Sequence, residues 1–210
     1  MAEYIKDDSF KDASENMNAA FKKEELQINY PGLAAGILML ILPFAGKWWT
    51  LQFGEDALFL AVSPFSLSVF SFGKEIVSPL FSSLTAALTV VTILFGIFMI
   101  AGSVPAINGG KKEISQGLIN SGSLKMLFVA ALFIFAVIFA GISFQQYFQE
   151  FGFSGNFPLL AGHSEMILIS GDITVAIPVK SSILPAFYAG LIAAALGAAS
   201  RFYGRKKSAK

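Results

Sequence analysis

The sequence predicts an α-helical integral membrane protein with four transmembrane helices and two extracytoplasmic β-rich loops forming a small antiparallel sheet. Three observations predict it. Four apolar runs, 32–46, 79–104, 126–144 and 183–200, contain no Asp, Glu, Lys, Arg or His, and a helix of about 20 apolar residues crosses the ~30 Å hydrocarbon core of a bilayer. The loop between the first and second runs alternates Phe65, Leu67 and Val69 with Ser66 and Ser68, the period of a half-buried strand, and the loop between the third and fourth holds two apolar strand candidates flanking Gly171 and Asp172. Lysine and arginine are segregated: twelve lie in the two tails and the middle connection, against three in the long loops (Lys47, Lys74 and Lys180). This positive-inside bias places both termini in the cytoplasm and both long loops outside, at the cell (plasma) membrane.

Residues 1–29 are polar and net acidic. Phe10, Ala13, Met17, Ala20 and Phe21 recur at helical spacing, so the segment reads as an interfacial helix or as a solvated tail. It lacks the basic start, apolar centre and small-residue cleavage site of a signal peptide. The first span is expected over 30–49. Tyr30 at one end and Lys47, Trp48 and Trp49 at the other serve as interface anchors. The first outer loop, 50–78, holds three strand candidates: Trp49 to Phe53, Ala57 to Val62, and the alternation beginning at Phe65, with Ser63 and Pro64 as a turn.

The second span is expected over 79–104, opening at Pro79. The connection 105–123 contains Asn108, Gly109, Gly110, Lys111 and Lys112. It lacks the spacing, the following Ser/Thr and the preceding strand of a phosphate-binding loop, and reads as a turn with inner-face charges. The third span runs over 124–144. In the second outer loop, 145–182, Gly171 and Asp172 form a two-residue hairpin turn. That turn sets Met166 and Leu168 opposite Ile177 and Val175, with Ile167 and Ile169 opposite Ala176 and Thr174. Pro178 cannot donate to a ladder, so its strand should end there or lie at an edge. The fourth span covers 183–200, followed by the basic tail 201–210.

The two halves share a pattern. Lys74, Pro79 and Phe81 lead into the second span as Lys180, Pro185 and Phe187 lead into the fourth, at one offset. A tandem helix–β-loop–helix repeat accounts for this, as does the ordinary use of Lys as a snorkelling anchor and Pro as a first-turn residue.

Small residues mark helix packing, because in a bilayer they let backbones approach and gain dispersion contacts. Gly32 and Gly36 do so in the first span, and Ala186, Gly190, Ala194 and Ala198 in the fourth. Lys74 and Lys180 join the interface anchors. The hydroxyls of Ser82, Ser83, Thr85, Thr89 and Thr92 line one stripe of the second span. They either face a narrow path or bond back to the helix's own carbonyls.

The chain has no cysteine, which excludes disulfides, thiolate metal sites and iron–sulfur clusters. A net charge of +1 argues against a nucleic-acid partner. His163 is the sole histidine. With Glu165 and Asp172 it offers no metal-ligand spacing, and the adjacent Glu55 and Asp56 are poorly placed to act from two sides of a substrate. No catalytic, cofactor or metal site is expected. In outline the chain resembles claudin-like and tetraspanin-like proteins in topology alone. Trp48 and Trp49 stand without the Gly-Leu-Trp and cysteines of the first, and the cysteine motif of the second is missing, so it is assigned to neither. Its expected role is non-enzymatic, as an accessory subunit or structural lateral-assembly module whose partners are the lipid bilayer and other membrane subunits or itself. The alternatives are a channel or transporter for a small neutral or lipidic substrate, and an outer-surface enzyme using His163.

Overall fold

The computed structural model describes residues 28–55, 57–104, 112–170 and 173–203. Residues 1–27, 56, 105–111, 171–172 and 204–210, on which the expected N-terminal helix, the turns expected at 108–112 and at Gly171 and Asp172, and the basic tail fall wholly or in part, lie outside the described residues. Expectations for those stretches are neither met nor overturned.

Among the described residues, five α-helices and seven strands follow in order. Helix α1 is Tyr30–Ile41, continued by a 3₁₀ turn over Leu42–Phe44. Strands β1 (Trp49–Phe53), β2 (Leu58–Ser63), β3 (Ser66–Ser71) and β4 (Lys74–Ile76) precede α2 (Pro79–Ser103). Helices α3 (Lys112–Ser123) and α4 (Lys125–Glu150) are broken only at Leu124. Strands β5 (Phe153–Ser154), β6 (Gly162–Ser170) and β7 (Ile173–Ile183) lead into α5 (Pro185–Tyr203).

The first apolar run does not make the full span expected of it. Pro43 has no N–H for the helical ladder, so the α-helix stops at Ile41. Gly46 then turns the chain at φ +99° into β1. Fifteen residues reach about 22 Å, less than the ~30 Å core. Among the described residues, three helical segments are long and apolar enough to cross a membrane: Pro79–Ser103, Glu113–Glu150 and Pro185–Tyr203. The second of these absorbs much of the connection expected as a turn. Its α3 portion is helical because Leu118 and Ile119 pack on α2 at Gly102, where an added Cβ would meet Ile119 Cγ1 at 2.9 Å.

Both long loops build one seven-stranded antiparallel sheet, in the order β4-β3-β2-β1-β7-β6-β5. Strand β1 joins the halves, pairing with β2 on one side and β7 on the other, Trp49 opposite both Val62 and Ile183. The β6–β7 register is the one expected: Met166 faces Ile177, Leu168 faces Val175, and Ser170 faces Ile173. The expectation for Pro178 is half corrected. Its strand runs on to Ile183, but pairing with β1 stops beside it, at Phe53 opposite Val179. The Pro178 carbonyl accepts from Gly54 N at 2.7 Å. A residue in an antiparallel strand points its N–H and C=O the same way, so the missing donor falls on the side where β1 ends.

One face of the sheet is apolar and closed. Trp49, Leu51 and Phe53 on β1, Met166 on β6 and Val179 on β7 are buried. Phe148 of α4 stacks on Phe53 with centroids 4.6 Å apart. The core is therefore continuous from the bundle to the sheet.

Candidate interaction surfaces

Trp48 is the joint between bundle and sheet. Its backbone N–H donates to Val62 O at 2.9 Å and its carbonyl accepts from Leu184 N at 2.8 Å. Its ring is fully buried and meets Phe65, Phe133 and Phe187 edge-on at 5.8, 5.2 and 5.8 Å. Gly190 makes room for it, since a Cβ there would lie 2.7 Å from Trp48 Cη2. Gly190, expected to seat another helix, seats an indole. Trp49 is also buried, and its Nε1–H donates to Leu160 O at 2.8 Å. The expectation that these tryptophans anchor at a bilayer interface is thus corrected: Gly46 and β1 fold both rings inward, where they bury far more apolar area than at a surface.

The other expected anchors are polar or exposed. Tyr30 stands 64% exposed at the start of α1. Lys74 is exposed at the start of β4. Lys180 is exposed on β7, opposite Gln52 and His163, so both lysines sit in strands rather than at helix starts. Lys47, in the link before β1, is half-buried, and desolvation lowers its pKa below the usual lysine value while Glu75 opposes the shift.

The expected packing residues fall at two seams. Gly36 of α1 crosses Gly96 of α2: a Cβ on Gly36 would be 2.9 Å from Gly96 O, and one on Gly96 3.1 Å from Gly36 O. Gly32 lies against Ser103 and Asn29. Asn29 ties three helices together. Its N–H donates to Ser103 O at 3.0 Å, its Nδ2 to Ser200 O at 3.0 Å, and its Oδ1 caps α1 by accepting from Gly32 N at 3.0 Å. Ala186 and Ala194 are buried and Ala198 half-buried on α5. Beside them Gly197 approaches Ser123, where a Cβ would meet its carbonyl at 2.6 Å. Asn29 was not singled out from the sequence. The one local signal is an Asn directly before a Tyr-Pro helix start.

On α2, Ser83 donates to Pro79 O at 2.9 Å and Thr85 to Phe81 O at 3.0 Å, back onto the helix. Ser82, Thr85 and Ala86 line an open cleft of about 270 Å³ with Phe65, Ser66 and Leu67. His163 and Glu165 stand exposed on the outer face of β6. No group of three metal-ligating side chains occurs among the described residues.

The helices leave a wide apolar exterior. Leu80, Leu84, Val90 and Leu94 on α2, and Phe128, Phe135 and Phe139 on α4, are each 47–76% exposed. Exposed apolar faces of this kind mark surfaces that lipid or another protein covers. No family model, curated protein or solved structure matches this chain.

Proposed function

We propose that the chain is a multi-pass integral membrane protein of the plasma membrane, with both termini cytoplasmic, acting without chemistry of its own. It serves as an accessory subunit or structural assembly module, through the outward faces of its helices and its outer sheet. The observation that carries this reading is the exposed apolar exterior of α2 and α4, which calls for lipid or another membrane protein to cover it. The short α1 is read as the fourth membrane-inserted segment, held against α2 and α5. The segregated lysines and arginines supply the orientation, and the repeated helix–strands–helix order of the halves is consistent with duplication. The test is gentle solubilisation from the native membrane, with the particle mass and all co-purifying polypeptides identified. Other polypeptides in fixed ratio, or a symmetric homo-oligomer, are the expected results. A lone monomer contradicts the reading.

The hydroxyl-lined cleft beside Ser82 and Thr85 favours a second reading, a channel or transporter for a small neutral or lipidic substrate. It requires cysteines introduced at Ser82, Thr85, Thr89 and Thr92 to be reachable from water. Uniform protection removes it.

A further inference from the structure

The edges of this sheet are treated in two different ways. At its two ends the strands are short: β4 has three residues, two of them Lys74 and Glu75, and β5 has two. Brevity and charge are the usual devices that stop an edge from recruiting another strand. The third edge has neither. Strand β7 is paired with β6 along its length, but with β1 only from Val179 to Ile183. Residues Ile173 to Ile177 therefore overhang, with their β1 side open.

Which backbone groups face that opening follows from Pro178, whose carbonyl points to the β1 side. Alternate residues of a strand point alike, so Ala176 and Thr174 present N–H and C=O to the open edge, while Val175 and Ile177 bond to β6. No partner for the open groups occurs among the described residues. The side chains are apolar or neutral, and Ile173, Thr174, Val175 and Ala176 are all exposed, Ile173 by 66% and Val175 by 43%.

We infer that a second copy of this chain docks on this edge, the two β7 strands pairing antiparallel about a two-fold axis at Val175. Antiparallel pairing about a dyad is self-complementary by construction, and this register satisfies the open groups. It sets Thr174 opposite Ala176 of the second copy, the residues whose donors and acceptors are free. Ile173 falls opposite Ile177, Val175 opposite itself, and no charge meets a like charge. The inference deepens the assembly role proposed above and rests on it. It also fixes the geometry. Strand β1 climbs α4, from Trp48 at Phe133 to Phe53 at Phe148, and β7 runs back down beside it into α5. Two β7 strands in opposite directions put the two bundles at opposite ends of the joined arms, as suits copies embedded in facing membranes.

The absence of cysteine makes the test clean. At the dyad the two Val175 Cα atoms would be about 4.5 Å apart, as in a non-hydrogen-bonded pair, within reach of a disulfide. Val175→Cys is expected to form a covalent dimer on mild oxidation. Ile173→Cys, about 13 Å from its own copy by strand rise, is not. In mild detergent Val175→Glu and Val175→Lys should each weaken dimerisation at least tenfold, and mixing them should restore a heterodimer. Vesicles carrying the wild-type chain should cluster, those carrying Val175→Glu should not, and Val175→Glu vesicles should cluster with Val175→Lys vesicles. A Val175→Cys chain that stays monomeric on oxidation, or a Val175→Glu chain that dimerises like the wild type, overturns the pairing. Detergent dimers without vesicle clustering overturn the opposed geometry. If Val175→Glu dimerises like the wild type and still retains foreign polypeptides at fixed ratio, the subunit role stands while this inference falls.

Discussion

Trp48 concentrates the energetics of the junction. Its backbone continues the hydrogen bonding of β2 into the start of α5, while its ring fills the space bounded by Phe65, Phe133, Phe187 and Gly190. Burying a Trp in such a setting and then truncating it to Ala typically costs about 3–5 kcal/mol, transfer and cavity terms together. Trp48→Ala should therefore lower the thermal midpoint of the solubilised protein sharply. Trp48→Phe should lower it much less, because it keeps most of the ring volume and removes an indole N–H that has no hydrogen-bond partner among the described residues. An unchanged midpoint in Trp48→Ala would contradict this role. The sequence marked Trp48 as special but for another reason: a tryptophan beside a lysine at the end of an apolar run has the composition of an interface anchor. Only the strand that starts at Trp49, and the glycine on a distant helix, reveal that the ring points inward. Asn29 was hidden for a similar cause, since its three partners lie on three helices, the farthest 171 residues away.

Among the elements, legibility tracked how local the cause of the structure was. The β6–β7 register was readable to the residue, because two residues between two apolar runs fix which positions oppose each other without help from elsewhere. Strand β4 was not, since it is three residues long and follows a turn at Phe72 and Gly73. Phe72 adopts φ 49° there, where Asn or Asp is the usual non-glycine signal. Helix α3 was missed because its apolar residues are few, and their periodicity acquires meaning only against Gly102 of α2. The α1–α2 crossing was half legible: Gly36 belonged to a small-residue repeat, but its partner Gly96 lay unremarked in the strongest apolar run. At this crossing backbone meets backbone, so neither helix can yield by turning a side chain. Gly36→Leu and Gly96→Leu should each destabilise by at least about 1–3 kcal/mol, the usual cost of overpacking. The double variant should cost less than the sum, because once the helices part the second side chain meets open space. Denaturation in a defined detergent measures this, and strict additivity would argue that the two glycines do not share one contact.

For the molecule as a whole, the sheet is a product of both loops, and this governs what the chain can do. A sheet confined to one loop would let the halves move separately. Here β1–β7 pairing locks Trp49 to Ile183 and so couples the two helix pairs through the sheet. That the chain forms helices long and apolar enough to cross a membrane was evident from apolar run length alone. The joining of the loops was not, because β1 and β7 are separated by more than a hundred residues and nothing local in either specifies the other. The first apolar run shows the opposite failure: its composition suits a span, and Pro43 with Gly46 cuts it short.

Placement across a bilayer is the claim on which the rest depends, and site-directed labelling measures it most directly. A chain without native cysteines allows single replacements to be read without background. In intact cells, His163→Cys on the exposed face of β6 should react with a membrane-impermeant thiol reagent. Lys207→Cys in the basic tail should react only after permeabilisation. Both variants should stay with the membrane pellet after alkaline washing. Equal labelling of the two positions in intact cells, or release of the protein by the wash, would contradict the account.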